Sequence, residues 1–147
     1  LKVKDFLKKK PLSISGESSL RDALDLIFKN GSDTVFVVDA ADRILGSITV
    51  FDIFRSCLPS YFEDVGNFSY LSVDSIISSI KDKLEGSSGT RVAEVLNKDF
   101  IVLEEEAPAV EAIRLMVTKK ESVVAIVKDQ RLIGSVSASD IVKGLLA

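Results

Sequence analysis

The sequence contains no histidine and no tryptophan, and only one cysteine, one methionine and three prolines in 147 residues. The missing histidines exclude Ser-His-Asp and Cys-His catalysis, histidine-ligated metals and a histidine pH switch. Cys57 is the only cysteine, so it forms no internal disulfide and no zinc cluster. With Ile53, Phe54 and Leu58 around it, it reads as a small buried hydrophobe rather than a nucleophile. No run reaches the roughly 18 apolar residues of a membrane-spanning helix, so membrane insertion is not expected. The start, Leu1-Lys2-Val3-Lys4-Asp5, does not have the form of a secretory signal, and the expected setting is cytoplasmic and reducing. It opens on Leu rather than Met, as a piece cut from something longer would. A surplus of one charge sign is also missing: 19 Lys+Arg face 22 Asp+Glu for a net charge of −3. That balance gives no basic face for nucleic acid. What remains, 46% hydrophobic and 28% charged residues, is enough for one globular domain or two small repeats.

A repeat is present. Arg43-Ile44-Leu45-Gly46-Ser47-Ile48-Thr49-Val50-Phe51-Asp52-Ile53 returns as Arg131-Leu132-Ile133-Gly134-Ser135-Val136-Ser137-Ala138-Ser139-Asp140-Ile141, at an offset of 88. Upstream the offset is 89, pairing Ala23 with Ala112, Leu26 with Leu115, Val35 with Val124 and Val38 with Val127. A one-residue deletion between Asp39 and Arg43, at a turn, accounts for the change. Val3 to Leu7 matches Val92 to Leu96 by the same 89.

Periodicity reads each copy as β-α-β-β-α. Short strands are expected at Leu12 to Ser15 and Ile101 to Glu104. Helices follow over about Ser19 to Asn30, with Leu20, Ala23, Leu24, Ile27 and Phe28 on one face, and from Pro108 to about Lys120 through Ile113, Met116 and Val117. Ser19 and Asp22 form a capping box, Gly31 is a helix stop, and Pro108 suits a first helical turn. Strand pairs are expected at Thr34–Asp39 with Ile44–Thr49, and at Val123–Lys128 with Leu132–Ser137; closing helices run over about Val50–Leu58 and Ala138–Leu146. Val35-Phe36-Val37-Val38 is apolar enough for a strand covered on both faces. The spacer, 59–90, carries Tyr61, Phe62, Phe68 and Tyr70, then Val73, Ile76, Ile77, Ile80 and Leu84 at helical spacing. A packed helix with a hydrophobic lead-in is the expectation there, with Glu85-Gly86-Ser87-Ser88-Gly89 as a flexible link. One copy buries only a modest core. Two copies about a pseudo-twofold axis solve that and create two equivalent clefts. The expected organisation is repeat 1 at 1–58, spacer at 59–90 and repeat 2 at 91–147, in an α+β (α/β-type) fold.

The chemistry-bearing pattern is Gly-Ser-apolar-[Thr/Ser]-x-x-Asp-Ile at the strand-to-helix junction. Thr49 with Asp52 and Ser137 with Asp140 have the spacing of a capping box, which needs no ligand. The same geometry offers free amides and a hydroxyl to a phosphate, and a carboxylate to the two hydroxyls of a ribose. Gly46 and Gly134 admit a close backbone, whether a ligand's neighbour or another strand. Both readings can hold together.

The doubled unit and its signature resemble a pair of cystathionine-β-synthase (CBS) domains, a Bateman module, over Val3 to Leu58 and Arg91 to Leu146. The resemblance implies a regulatory module that binds an adenosine-containing ligand (AMP, ADP, ATP or S-adenosylmethionine) in the inter-repeat clefts. It implies that Asp52 and Asp140 bind the ribose diol and that Thr49 and Ser137 approach the phosphate. Adenine would lie near Leu12 and Val35 in one site and Ile101 and Val124 in the other. The basic residue common in the family just before the second strand is here Thr34 or Val123, and the proline two residues later is Phe36 or Ala125. These departures favour an adenosine-type ligand over a polyphosphate unless Lys10, Lys98, Arg55 or Lys143 supplies the charge. Seven of the eight phenylalanines precede residue 69, and Phe36 and Phe51 are placed to narrow the first cleft or simply to fill the core. The second site is expected to be the open one.

Other features have plainer meanings beside them. Glu104-Glu105-Glu106 offers charge to a divalent cation or leads acidically into a helix. Lys8-Lys9-Lys10 is a phosphate-facing edge or solvated charge. Asp39 and Asp42 suit a hairpin turn. Neither a nucleophile-base pair, a metal constellation nor a phosphate loop stands out, so no catalytic residues, catalytic cofactor or metal ligands are expected. Apolar positions on the closing helices (Ile53, Phe54 and Cys57; Ile141, Val142 and Leu145) suggest a homodimer, as family members commonly form, acting on a fused or separate effector protein. The alternative is a ligand-independent interaction or dimerisation module in which the capping boxes only cap.

Overall fold

The computed structural model describes residues 1–8, 11–57 and 73–147, with the side chains of residues 57 and 73 outside the description. The expectations for Lys9, Lys10, the Cys57 side chain, Leu58, the aromatic lead-in of the spacer and the Val73 side chain therefore fall outside the described residues.

Each copy folds as its periodicity dictates. In the first, β1 (Ser13–Ser15), α1 (Leu20–Asn30), β2 (Thr34–Val38), β3 (Ile44–Thr49) and α2 (Val50–Cys57) follow in order. The spacer helix α3 (Val73–Glu85) leads to β4 (Val102–Glu104), α4 (Ala109–Lys119), β5 (Val123–Lys128), β6 (Arg131–Ser137) and α5 (Ala138–Leu146). Ser19 Oγ accepts from the Asp22 amide at 3.1 Å, Asp22 accepts from the Ser19 amide in return, and Gly31 ends α1 in the left-handed region at φ 61°. In the second copy the same left-handed stop is made by Lys120, at φ 57°.

Both sheets have three strands with the middle element of each, β2 or β5, paired parallel to the first strand and antiparallel to the third. Thr34 lies opposite Thr49 and Val123 opposite Ser137, so the start of each central strand adjoins its repeat's signature hydroxyl. Val35 to Val38 are all buried, as a doubly covered strand requires. Helix faces differ in detail from expectation. Leu20, Ala23, Leu24 and Ile27 are buried, but Phe28, one position round from Ile27, is 68% exposed. On α4 the buried set is Ala109, Ala112 and Met116, leaving Ile113 and Val117 facing outward.

The two sequence repeats and the two cores do not coincide. The 3-10 turn Val3–Phe6 opens the first copy, yet Val3 is fully buried in the second core beside Ile101, Ala112, Val124 and Ile141. Reciprocally Val92 is fully buried in the first core with Leu20, Val37, Ile48 and Ile53. Each such valine contributes about 1.5–3 kcal/mol by leaving water. Backbone bonds fix the exchange. Lys8 and Ser135 trade amide-to-carbonyl bonds of 2.9 and 3.1 Å, and Asn97 and Ser47 do the same at 2.8 and 2.9 Å, so each sheet gains a one-residue fourth strand from the other copy's leader.

This contact explains Gly46 and Gly134. A Cβ on Gly46 would lie 2.7 Å from the Asn97 carbonyl oxygen, and one on Gly134 would lie 2.6 Å from that of Lys8. The close backbone they admit is a strand of the other repeat. The expected flexible link is ordered for the same reason: Ser87–Gly89 forms a 3-10 turn, Ser87 is buried against α1, and the Leu20 amide donates to Thr90 at 2.7 Å. Of the acidic run, Glu106 accepts from Lys2 and, at 2.6 Å, from Lys4 of the exchanged leader, while Glu105 pairs with Lys128 at 3.4 Å. Among the described residues no His, Cys, Asp and Glu side chains converge to hold a metal ion.

Two outcomes follow from the exchange. Gly134→Ala should lower stability by about 1–3 kcal/mol in urea denaturation, because the added methyl meets the Lys8 carbonyl oxygen as well as the Leu7 side chain, and the backbone cannot simply turn aside; an unchanged midpoint would mean the leader is not held there. The two lysines hold the Glu106 carboxyl at about 2, below the usual carboxylate range. A carboxyl resonance titrating there by NMR confirms the clamp, whereas a midpoint near 4.5 would show it open.

Candidate functional site

The exchange places two clefts either side of the pseudo-twofold axis, each built from both repeats. The first, about 210 Å3, takes Thr49, Phe51 and Arg55 from the β3–α2 junction and faces them with Asn97, Phe100, Ile101 and the α4–β5 turn 120–123. The second, about 240 Å3, takes Ser137 and Asp140 from the β6–α5 junction and faces them with Lys8, Pro11, Leu12, Asn30 and Ser32. Thr34, Phe36 and Val123 line both clefts, at the axis. Phe36 therefore does not narrow the first cleft alone; Phe51 lines only the first, and the two volumes are similar.

Leu12 thus meets Ser137 and Asp140, and Ile101 meets Thr49, so the hydroxyl of one repeat faces the strand lead-in of the other. Val35 and Val124 are fully buried and line neither cleft. Of the cations suggested by sequence, Arg55 lines the first cleft, while Lys98 and Lys143 are exposed and line neither. Lys8, from the basic run read as a phosphate-facing edge or solvated charge, stands in the second cleft, and Asn97 in the first is a position that motif reasoning missed. The signal was available: both end a leader that Gly46 or Gly134 admits.

The two signature carboxylates share a cap but not surroundings. Asp52 Oδ2 accepts from the Thr49 amide at 2.8 Å and its hydroxyl at 3.1 Å, and the Asp52 amide donates back to Thr49 Oγ1. Asp52 Oδ1 accepts from Arg55 Nη1 at 2.7 Å and, at 3.5 Å, from Asn97 Nδ2; the residue is 7% exposed. Asp140 Oδ2 accepts from the Ser137 amide at 2.9 Å, and the Asp140 amide donates to Ser137 Oγ at 3.0 Å. Asp140 is half-buried, and its Oδ1 has no donor among the described residues.

Asp52 itself faces an adjoining open groove of about 660 Å3, which shares Arg55, Asn97, Asp99 and Glu121 with the first cleft. Asp99 is paired there with Lys119 at 3.5 Å. Burial, then the Asp52 charge, pushes the Glu121 carboxyl up from its ordinary value, with Arg55 opposing. The first cleft is thus lined by Asp33, Asp99 and Glu121 against Arg55 and Lys120, an acidic surround for a polyphosphate.

Paired β-α-β-β-α units with crossed leaders, and a capped carboxylate beside each of two inter-repeat clefts, define a tandem-repeat architecture. The CBS domain family model matches residues 3–58 and 92–147, and the chain belongs to that family as a CBS pair. The uncharacterized protein MJ1426 of Methanocaldococcus jannaschii is 25% identical over 98% of this chain and 90% of its own length. The structure of protein MJ1004 from the same organism is 22% identical with a TM-score of 0.71, covering 99% of this chain, which spans 59% of that one. The CBS domain pair of protein MJ0100, solved in complex with 5-methylthioadenosine and S-adenosyl-L-methionine, is 22% identical with a TM-score of 0.68, each chain covered in full.

The caps act on the ligand-free protein. Ser137→Ala should cost about 1 kcal/mol of unfolding free energy without any ligand present. No loss in a denaturant melt would show that α5 does not depend on this cap.

Proposed function

We propose that the chain is a regulatory module that binds an adenosine-containing ligand in its inter-repeat clefts and performs no chemistry on it. The observation that carries this reading is the crossed cleft, in which an available carboxylate, Asp140, and a hydroxyl, Ser137, face the apolar lead-in of the other repeat at Leu12. A carboxylate suits a ribose diol, and an apolar wall beside open backbone suits a purine. In the first cleft Thr49, Ile101, Thr34 and Val123 take the same parts, with Asp52 reached from the adjoining groove; Val35 and Val124 act from behind, as the packing under each cleft. The ligand complex of MJ0100 supports an adenosyl class. Among AMP, ADP, ATP and S-adenosylmethionine, the acidic lining of the first cleft disfavours the polyphosphates there, whereas Lys8 leaves the second tolerant of an anion.

Binding would act by population shift, because a ligand touching both repeats favours one relative orientation of the two cores. The working unit in this reading is 1–58 and 91–147 joined by 59–90, in a cytoplasmic homodimer that signals to a fused or separate effector. Exposed apolar residues support a self-contact. Phe54 on α2 and Val142, Leu145 and Leu146 on α5 lie on the outer helices, while Ile53 and Ile141, expected among them, are spent in the cores. No helix among the described residues is long and apolar enough to cross a membrane.

A thermal-shift titration with AMP, ADP, ATP and S-adenosylmethionine, with GTP as control, tests the class. At 100 times its dissociation constant a ligand adds about 2.7 kcal/mol, a rise of several degrees for a domain of this size. A saturable shift with an adenosyl compound, lost in Asp140→Ala, is the expected result. A flat panel from a folded dimer would favour the ligand-independent interaction module.

A further inference from the structure

We infer that Arg55 is a latch on the first cleft, holding the carboxylate that a ribose would need, so that the two clefts fill in order with the second first. This rests on the adenosyl reading of the clefts and adds the residue that makes them unequal. Asp52 Oδ1 is taken by Arg55 at 2.7 Å and approached by Asn97 at 3.5 Å, and its Oδ2 is taken by the Thr49 cap. A carboxylate has about four lone-pair sites, and protein donors already claim most of them here. Asp140, at the equivalent position, keeps its Oδ1 without a donor among the described residues, and Lys143, the counterpart of Arg55, lines neither cleft.

The position of Arg55 adds steric control to competition. Its side chain stands on the shared wall between the first cleft and the open groove that Asp52 faces. A ligand seated on Ile101 meets Arg55 before it meets Asp52. The arginine side chain is 58% exposed, so the ion pair is weak enough to be displaced, worth no more than about fivefold in an equilibrium. The latch therefore delays occupancy of the first cleft and does not forbid it.

Adenosine separates these effects because it has the diol and the base but no phosphate to attract the arginine. Methyl resonances of Leu12 and Ile101 report the second and first clefts separately in one NMR titration of the full chain. In the unsubstituted protein the Leu12 signal should titrate at lower adenosine than that of Ile101. Arg55→Ala should lower the Ile101 midpoint about threefold to fivefold and leave that of Leu12 unchanged, with Arg55→Gln giving the same direction if the alanine variant folds poorly. An Ile101 midpoint that is unchanged or raised, while Leu12 still titrates, overturns the latch alone. No adenosine binding at either cleft overturns the latch together with the adenosyl reading.

Discussion

The structure depends on an absence of atoms at two places. Gly46 and Gly134 leave room for the backbone of Asn97 and Lys8, and through those contacts each repeat accepts the other's leading segment as an extra strand. Val3 and Val92 then complete cores that are not their own. Neither copy is whole without the other. An isolated repeat would expose the sheet edge that its partner covers and lack a fully buried valine, a serious loss in so small a core.

The same exchange makes the clefts. Because a leader crosses the axis, the segment after it, Leu12 or Ile101, arrives opposite the signature hydroxyl of the other repeat, Ser137 or Thr49. A ligand in either place touches both cores, which is the geometric requirement for binding to change how the repeats sit together. Symmetry sets up two such places and local substitutions then distinguish them. The first helix of each copy stops at glycine in one and at lysine in the other, and Phe36, which lines both clefts, has Ala125 as its counterpart. Asp52 is held by Arg55, whereas Asp140 is not held by Lys143.

The fold was legible because its signals are local and doubled. Ser19 with Asp22, Pro108 and the apolar run at Val35 each announce an element, and the repeat confirms them at a fixed offset. The signature hydroxyls and carboxylates were legible for the same reason. The crossing of the leaders was not, since Val3 and Val92 look alike and nothing in their spacing says which core each enters. Phe28 and Val117 sit on helical faces by number but at the margins of the buried arc, where packing and not periodicity decides exposure. Position along the central strand points Val35 and Val124 to the clefts, yet such a strand turns alternate side chains to opposite faces, and theirs are fully buried. The Arg55 bond to Asp52 needed the helix in three dimensions to become visible.

Hydrogen exchange followed by mass spectrometry tests the crossing of the leaders most directly, using Val3→Ala and Val92→Ala. Val3→Ala should speed exchange in β4, β5, β6 and α5, which lie 99 or more positions away in sequence, and spare β1 to β3. Val92→Ala should do the reverse, loosening α1, β2 and β3. If each substitution instead loosened the repeat that it opens, the leaders would not be exchanged, and the clefts would not be shared between the two copies.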